Sequence, residues 1–487
     1  MRQCLTILSI LFASAVSAQE VLHLKLETVV EMAKAQSIAA RQAATTKETK
    51  FWEYRSFQSN FKPQLLLDGR LPAFSRTFDE VVQPDGTIRF QPVRFNNSSL
   101  GLSLEQQVFR TGGTIYAGTQ VQRFDDFIRD NRLYNSTLFA VGVRQPLSQF
   151  NELKWGRKIE PLIYLESEQE YIESLELIAA RANGLFFDLL LAQVNQDIAA
   201  TNLKNTTDIL RIANEKLTLG KVSRNEILQL QLELLKAQKA LSTARRDLEL
   251  SSLNLRAFIG LQNDEALELD SPHPSLQTDI PAETALAEAY ANRSDAIGFA
   301  RRRLEAERDV AKAKAERGFN AALSANIGFS NRGTQLAELP KSPQHQELVT
   351  LDFTMPILDW GRAEARTQTA LANQTLVQYA IQQDSQNFRQ EIYTQVSLFS
   401  LLKEQLSLTA QADSIASEKY QIAQERYVLG DLNITDLSIA FSEKDQAKRD
   451  FVGALRDYWT AFYQLRWLTL YDFERKQKIK YTTIRNN

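Results

Sequence analysis

The chain has 487 residues and a formal charge of −2, with 57 Lys and Arg against 59 Asp and Glu. This balance argues against a nucleic-acid partner, because such proteins carry a strong basic excess. The length allows two or three ordinary domains, and Cys4, the single cysteine, excludes a disulfide framework within the chain.

The first eighteen residues have the pattern of a secretory signal peptide. Arg2 supplies a positive charge, Cys4 to Val16 form an apolar run, and small residues lead to Ala18 before Gln19. Cleavage is therefore expected after Ala18, which leaves the mature chain without a thiol. The run is too short for an uncleaved membrane anchor, and no later stretch approaches the roughly 18 apolar residues of a membrane helix. We therefore expect a periplasmic or secreted protein, or one inserted in an outer membrane through β-strands.

Helical composition opens both halves of the chain, and alternating segments follow. Residues 39–54 and 282–317 are rich in Ala, Glu, Lys and Arg and lack proline, which favours helix. Apolar and polar residues then alternate at 99–105, 137–147, 323–330 and 349–355, a period typical of strands with one solvated face. The first half also carries an insertion at 75–135, whose turn signals fit either long loops or longer strands.

Long proline-poor segments predict long helices over about 155–217 and 361–429, each followed by a Leu-Gly turn and a returning helix. At 1.5 Å per residue, each long helix would extend on the order of 100 Å. A heptad seam is predicted in the first half, and a seven-residue stripe in the second. The seam comprises Ile227, Leu234, Leu241, Leu248 and Leu255, with Leu230, Ala237, Ala244, Ser251 and Phe258; the stripe comprises Leu401, Leu408, Ile415, Ile422 and Leu429.

Matching segments predict an internal two-fold repeat. EKLTLGKVSRNEIL at 215–228 matches ERYVLGDLNITDLS at 425–438 in the Leu-Gly pair and in an acid six residues later. LETVVEMAKAQS from Leu26 similarly matches AETALAEAYANR from Ala282. The predicted organisation is a signal peptide at 1–18, a first repeat at 19–260, a linker at 261–281, a second repeat at 282–475 and a tail at 476–487.

The strands imply more than one copy of the chain. If each half supplies one hairpin, four strands cannot close a barrel, and their open edges would be costly in lipid. Three copies would supply about twelve strands without edges. A β-sandwich on a soluble core remains open as an alternative. So does a periplasmic coiled-coil scaffold without a pore, although that reading leaves the strands unexplained.

The order of these motifs resembles the TolC family of outer-membrane factors over nearly all of the mature chain. The resemblance depends on the doubled Leu-Gly turns, on the strand ends Gln145-Pro146-Leu147 and Met355-Pro356-Ile357-Leu358, and on Trp155-Gly156-Arg157 and Trp360-Gly361-Arg362. It implies a mainly α-helical chain with a membrane β-barrel portion, forming a trimeric α/β barrel duct. It also implies an outer-membrane channel with a long periplasmic portion. Such a channel works with a periplasmic adaptor (a membrane fusion protein) and an inner-membrane pump in efflux or type I secretion.

By this resemblance, the Leu-Gly turns would dock the adaptor, and residues near them would close the duct. The docking candidates are Leu219, Gly220, Leu429 and Gly430, and the gate candidates are Glu226, Tyr427 and Asp436. The sequence departs from the family pattern at Leu432 and Ile439, where an arginine and a second aspartate are expected, so apolar packing would help to hold the closed state. An alternative role for Glu226 and Asp436 is that of solvated acids at helix N-termini.

Other chemistry has little support in the sequence. His23, His273 and His345 lie in predicted loops or linkers, and the sequence shows no paired histidines on a helix, no nucleophile motif and no Gly-rich phosphate loop. We therefore expect neither an enzyme nor a cofactor or metal site. The identity of the transported substrate cannot be read from these residues.

Overall fold

The structure is a computed structural model that describes residues 21–218, 220, 222–261, 266–273, 279–429 and 431–481. The predicted signal peptide lies outside these residues, as do the docking candidates Leu219 and Gly430.

Eight α-helices form within the described residues, and the two halves of the chain contain helices of nearly equal length in the same order. They are α1 (Leu26–Gln36), α2 (Ile38–Ser59), α3 (Glu152–Thr218), α4 (Arg224–Ile259), α5 (Ala282–Asn292), α6 (Ser294–Glu316), α7 (Arg362–Leu429) and α8 (Ile434–Thr469). The long helices α3 and α7 have 67 and 68 residues, and the returning helices α4 and α8 have 36 each. The predicted long and returning helices are therefore present at the expected positions. The helix predicted at 282–317 is divided at Arg293 into α5 and α6.

Most of the strands belong to one antiparallel sheet. The strands are β1 (Val21–Leu24), β2 (Gln64–Arg70), β3 (Phe74–Val82), β4 (Ile88–Val108), β5 (Gly113–Asp126), β6 (Asn131–Pro146), β7 (Ala266–Leu269), β8 (Asn320–Gly333), β9 (Gln344–Thr354), β10 (Tyr471–Asp472) and β11 (Gln477–Lys478). The sheet has the order β2-β4-β5-β6-β8-β9, with β3 paired to the outer part of β4. We call the six strands of this order the wall. The expectation of one hairpin from each half was therefore wrong, because the insertion at 75–135 forms long strands within the sheet.

The wall has one apolar and one polar face. Ile115, Val143, Ala325 and Val349 form a cross-strand row over β5, β6, β8 and β9. The adjacent row on the opposite face contains polar and small residues, namely Glu105, Tyr116, Gly142 and Asn326. Because side chains alternate between faces along a strand, the predicted period-two pattern is realised over most of the wall, whereas β2 carries three consecutive leucines at 65–67.

Contacts divide the chain into two compact units. The helical unit contains the described residues up to Thr46, residues Gln169–Arg293 and the described residues from Asn387 onward. The sheet unit contains Lys47–Glu168 and Ser294–Gln386. The main core of the helical unit includes fully buried Phe186, Phe187 and Leu465.

The predicted heptad seam in α4 is confirmed, because Ile227, Leu241 and Leu255 are buried. The stripe in α7 is different: its five members are exposed, from 52% at Ile422 to 77% at Leu429. The buried heptad of α7 is displaced by two residues and contains Ile392, Phe399, Leu406, Tyr420 and Tyr427. Two residues correspond to 200° of helical rotation, so α7 has apolar side chains on opposite faces.

One other expectation is corrected. Among the described residues, helix α3 is long and apolar enough in composition to cross a membrane, and half of its most apolar stretch is buried. The segment 261–281 contains a strand, β7, which pairs in parallel with β1. In the segment assigned to the tail, β11 pairs with β10, and the hydroxyl of Tyr481 donates to Glu176 in the core.

Candidate gate and docking tip

The turn between α3 and α4 places Gly220 in a left-handed conformation. Its φ is +67°, and its N–H donates to the carbonyl of Leu217 at 2.9 Å. An added Cβ would meet no heavy atom within 4 Å, so the backbone conformation, and not crowding, favours glycine here. A larger residue at this position would extend from the turn and change its surface.

Glu226 completes a capping box at the start of α4. The Ser223 hydroxyl accepts from the N–H of Glu226 at 3.3 Å, and the Glu226 carboxylate accepts from the N–H of Ser223 at 2.7 Å. This reciprocal pair satisfies backbone donors that the first helical turn leaves free. The alternative role of a helix N-terminal acid therefore has a geometric basis.

Asp436 has the corresponding position in α8. Its N–H donates to the Asn433 side chain at 2.9 Å, and its carboxylate accepts from the Asn433 amide at 2.8 Å. Leu429, the last residue of α7, is 77% exposed, and Asp431 N–H donates to Arg426 O at 2.9 Å across the turn. Each turn thus has an exposed residue, Gly220 in the first and Leu429 in the second. In each returning helix an acid, Glu226 or Asp436, lies three residues after the N-cap.

An apolar cluster joins the two helical hairpins behind these turns. We call it the tip cluster: Ala213, Ile227, Leu230, Tyr420, Ala423, Tyr427, Ile434, Leu437 and Ala440. Leu432 packs against this cluster, whereas Ile439 is 51% exposed. One of the two departures from the family pattern therefore adds apolar packing at the tip.

Tyr427 lies inside the tip cluster with 8% of its surface exposed. Burial raises the pKa of its hydroxyl, and the negative charge of Glu226 raises it further. The ammonium of Lys216 lies 5.1 Å from the ring centroid, within range of a cation–π interaction. The structure therefore brings the gate candidates Tyr427 and Glu226 into one neighbourhood.

A second set of contacts between the hairpins is polar. Asn202 on α3 donates to Asp445 on α8 at 2.6 Å, and Asn205 donates to the hydroxyl of Tyr420 at 3.0 Å. We call these four residues the polar clamp. Asp445 is only 4% exposed and pairs with Lys444 at 3.4 Å. A cavity of about 270 Å³ in the same region is lined by Asn205, Tyr420 and Asp445 among others.

The polar clamp was not predicted from the sequence. Asn202 and Asp445 interrupt otherwise ordinary helical sequence, and each was indistinguishable from a solvated polar residue. One indication in the sequence was the position of Asp445 on the helix. It lies on the same buried side of α8 as Leu437 and Ala440. Pairing two such positions 243 residues apart requires knowledge of how the hairpins pack.

No group of three or more His, Cys, Asp or Glu side chains suited to a metal ion occurs in the described part of the chain. His23 is about 60% exposed near Glu268, and the ring of His345 lies 4.6 Å from that of Phe329.

Comparison with known proteins gives a consistent result. The profile of the family described as outer membrane efflux protein matches residues 29–261 and 285–469. The pyoverdine export outer membrane protein OpmQ of Pseudomonas aeruginosa is 25% identical over 287 residues, which are 57% of this chain and 56% of OpmQ. The chain thus matches little more than half the length of this curated relative.

Solved structures of outer-membrane channels have the same fold. The CmeC channel of Campylobacter jejuni superposes with a TM-score of 0.66 at 17% identity, covering 95% of this chain and 88% of CmeC. The outer-membrane channel OprN gives a TM-score of 0.66 at 16% identity, covering 92% and 90%. The MtrE channel of Neisseria gonorrhoeae gives 0.62 at 16% identity, covering 91% and 88%.

Proposed function

The chain belongs to the outer membrane efflux protein family, and we propose that it is an outer-membrane channel that serves as the passive exit duct of a tripartite efflux or type I secretion system. In this proposal, an inner-membrane pump delivers the substrate through a periplasmic adaptor, and three copies of the chain form the duct. In the same proposal, the two halves are structural repeats of one helix–strand–helix organisation. The helical unit extends into the periplasm.

The observation that carries the proposal is the wall with its apolar face and two free edges. Among the described residues, no strand pairs with the outer edge of β2 or of β9. In lipid, each unpaired backbone group costs several kcal/mol, so the sheet needs neighbouring copies to close. The apolar row of Ile115, Val143 and Val349 faces lipid, and the opposite row faces the lumen.

The exposed stripe of α7 supports assembly from several copies. Leu401, Leu408, Ile415, Ile422 and Leu429 repeat every seven residues on the side of α7 opposite its buried heptad. A sustained apolar heptad stripe normally packs against another helix. We assign this partner to a second copy of the chain, because Leu228, Leu232 and Leu235 on α4 are also exposed, at 51 to 63%.

The tip supplies the regulated part of the proposed duct. Leu219, Gly220, Leu429 and Gly430 form the adaptor-docking surface, and Glu226, Tyr427 and Asp436 contribute to the closed gate. The tip cluster and the polar clamp hold the two hairpins of each copy together when the duct is closed. Docking would open the duct by separating them.

The substrate is proposed to be selected by the pump and not by this chain. OpmQ is named for pyoverdine export, but its similarity extends over only 56% of its length. Pyoverdine therefore does not transfer to this chain as a substrate.

The experiment that tests the proposal is a measurement of the molecular mass of the complex after extraction from the outer-membrane fraction in mild detergent. A trimer from that fraction supports the duct. A monomer or dimer that needs no detergent contradicts it and favours a periplasmic coiled-coil scaffold. Co-purification of an adaptor with the trimer then tests the tripartite part of the proposal.

A further inference from the structure

The inserted hairpin β4–β5 crosses the full height of the wall. Its turn, at residues 109–112, lies beside the start of α3. There, the side chain of Asn151 donates to the Phe109 carbonyl at 2.9 Å, and Gln145 donates to the Thr111 carbonyl at 3.1 Å. The guanidinium of Arg157 lies 4.2 Å from the centroid of the Phe109 ring. Strand β4 therefore returns to the helical end of the wall, and β5 leaves from it.

Both faces of the wall continue through the inserted strands. One row runs through Leu65, Leu104, Ala117, Val141 and Ile327. The next row, on the opposite face, runs through Leu66, Ser103, Gly118, Ala140 and Gly328. Leu104 and Ile327 are about half exposed, as a lipid-facing residue would be before assembly. An insertion that lay in water would have no reason to keep this alternation in phase with its neighbours.

Strand β5 is also fitted to β6 by a close contact. A Cβ added at Gly142 would lie 2.4 Å from Cζ of Tyr116 and 2.9 Å from the Ala325 carbonyl oxygen. The Tyr116 ring therefore lies directly over Gly142 on the polar face. An aromatic side chain that covers a cross-strand glycine is a device that stabilises strand pairing and fixes register.

The number of strands allows the wall to close with copies of itself. Consecutive strands of the wall are antiparallel, so β2 and β9, at positions one and six, run in opposite directions. The β9 edge of one copy thus meets the β2 edge of the next in the antiparallel sense that the rest of the sheet uses. An odd number of strands would have forced a parallel junction.

We infer that each copy contributes six strands to the membrane wall, so that the trimer of the proposed function, on which this inference rests, closes an eighteen-strand ring. The length of the insertion agrees with this count. The offset between the matching segments of the two halves is 256 residues from Leu26 to Ala282 and 210 residues from Gly220 to Gly430, so the first half contains 46 additional residues. That length accommodates one additional hairpin of two long strands.

The ring sets an upper limit on the width of cargo that can pass the membrane wall. With strands about 4.8 Å apart and tilted by about 40°, twelve strands enclose a cylinder about 24 Å across and eighteen enclose one about 36 Å across. Side chains on the lumen face leave about 25 Å of free width in the larger ring. This width admits a compact polypeptide of about 40 residues, whose radius of gyration of about 9 Å corresponds to a diameter of about 23 Å. The cargo class that the wall fits therefore includes polypeptides as well as small molecules.

Electron cryomicroscopy of the detergent-extracted complex gives the strand count directly. Eighteen strands around a three-fold axis support the inference. A trimer whose ring has twelve strands, with β4 and β5 outside it, overturns the inference and leaves the proposed duct intact. A complex that is not a trimer contradicts the proposed function itself, so the two failures are distinguishable.

Cysteine labelling in intact membranes tests the same point without removing any strand. The expected mature chain has no cysteine of its own, so Leu102→Cys and Ser103→Cys provide a matched pair on adjacent residues of β4. A charged, membrane-impermeant maleimide should modify Ser103→Cys from the lumen while Leu102→Cys stays unlabelled in lipid. Equal labelling of both variants in a correctly assembled trimer would place the inserted hairpin in water and overturn the inference.

Discussion

Glu176 is a carboxylate without exposed surface in the core of the helical unit, and its partners come from distant parts of the sequence. Lys34 lies 2.7 Å and Arg466 lies 3.0 Å from its oxygens, and the Tyr481 hydroxyl donates to it. Burial alone would raise its pKa, but the charges of Lys34 and Arg466 outweigh this effect and lower the pKa to about 2. A buried charge that lost these partners would destabilise the core strongly.

Acid should therefore weaken the helical unit through Glu176. Because the pKa is lower in the folded chain than its ordinary value of 4.5, the stabilisation is complete above pH about 4.5 and is lost as the pH falls toward 2. We expect the melting temperature of the extracted protein to fall over this range. Glu176→Gln should flatten that dependence and lower the melting temperature at neutral pH. The exposed Glu249→Gln serves as the control, and an unchanged acid profile in Glu176→Gln would contradict the prediction.

Asp436 is expected to influence ion selectivity as well as helix capping. Three copies would place three carboxylates at the tip, and charged rings select cations in other pores. Asp436→Ala should therefore weaken cation preference in single-channel recordings. Asn433→Ala removes the cap, at a cost of about 1 kcal/mol, but keeps the charge and should keep the preference. Unchanged selectivity in Asp436→Ala would leave this residue a capping role only.

Some of these residues could be predicted from the sequence and others could not. Glu226 and Asp436 were found because each lies six residues beyond a Leu-Gly pair, which is a local pattern. The partners of Glu176 were not found, because Lys34, Arg466 and Tyr481 lie 142, 290 and 305 residues from it along the chain. Each has the appearance of an ordinary surface residue. Electrostatic partners that meet only after packing leave no periodic signal along the chain.

At the scale of elements, helix α7 has two apolar faces with different roles. Ile392 and Leu406 pack inside the helical unit, and Leu408 and Ile415 are exposed on the opposite side. The sequence pattern predicted a heptad stripe in α7 that would correspond to the buried seam in α4. The stripe it identified is the exposed one. Both stripes repeat every seven residues, so periodicity alone could not show which of them faces the chain's own core.

A charge in the exposed stripe should prevent assembly without unfolding the chain. We expect Ile415→Lys to convert the detergent-extracted trimer to smaller species, because it would bury an unpaired ammonium between copies. Its helix content by circular dichroism should be unchanged. Ser414→Lys adds the same charge about 100° around the helix at another exposed position and should leave the trimer intact. Trimers of normal stability in Ile415→Lys would show that the stripe is not a contact between copies.

Substitutions at Gly220 should impair adaptor docking without impairing the folding of the chain. Gly220→Leu fits the open space but must adopt a left-handed conformation, at a local cost of about 1–2 kcal/mol. We expect trimers to persist while adaptor co-purification and export are lost, most clearly when Gly430→Leu is combined with it. Gly220→Asn tolerates the conformation with a smaller side chain and should retain part of the export. Normal adaptor binding by the double leucine variant would contradict the docking assignment.

At the scale of the whole molecule, the sequence predicted the helix order and most helix boundaries, because long amphipathic segments and doubled motifs are strong local signals. It underestimated the sheet. The strand at 64–70 was not predicted, and longer strands within 75–135 were only one of two alternatives. Segments such as Gln64–Arg70 lack strict alternation and pair only with the distant β4. The number of strands in a sheet depends on which segments pair with each other. The local sequence of one strand does not show its partner.

The last described residues should influence how much protein reaches the outer membrane. Tyr481 joins Lys34 and Glu176, so Tyr481→Ala should reduce the yield of outer-membrane trimer. Tyr481→Phe keeps the ring but loses the hydroxyl and should give an intermediate yield. Quantitative immunoblotting of membrane fractions measures both. Equal yields for the unchanged protein, Tyr481→Ala and Tyr481→Phe would show that this contact is dispensable.

The same contact has a consequence for the timing of biogenesis. The core around Glu176 takes Lys34 from the beginning of the chain, Arg466 from near its end and Tyr481 from later still. It cannot be completed while the polypeptide is still threading through the inner membrane, because its final component emerges last. The apolar segments of this core therefore stay uncovered until Tyr481 has emerged, and exposed apolar segments of a partly folded chain are prone to aggregate.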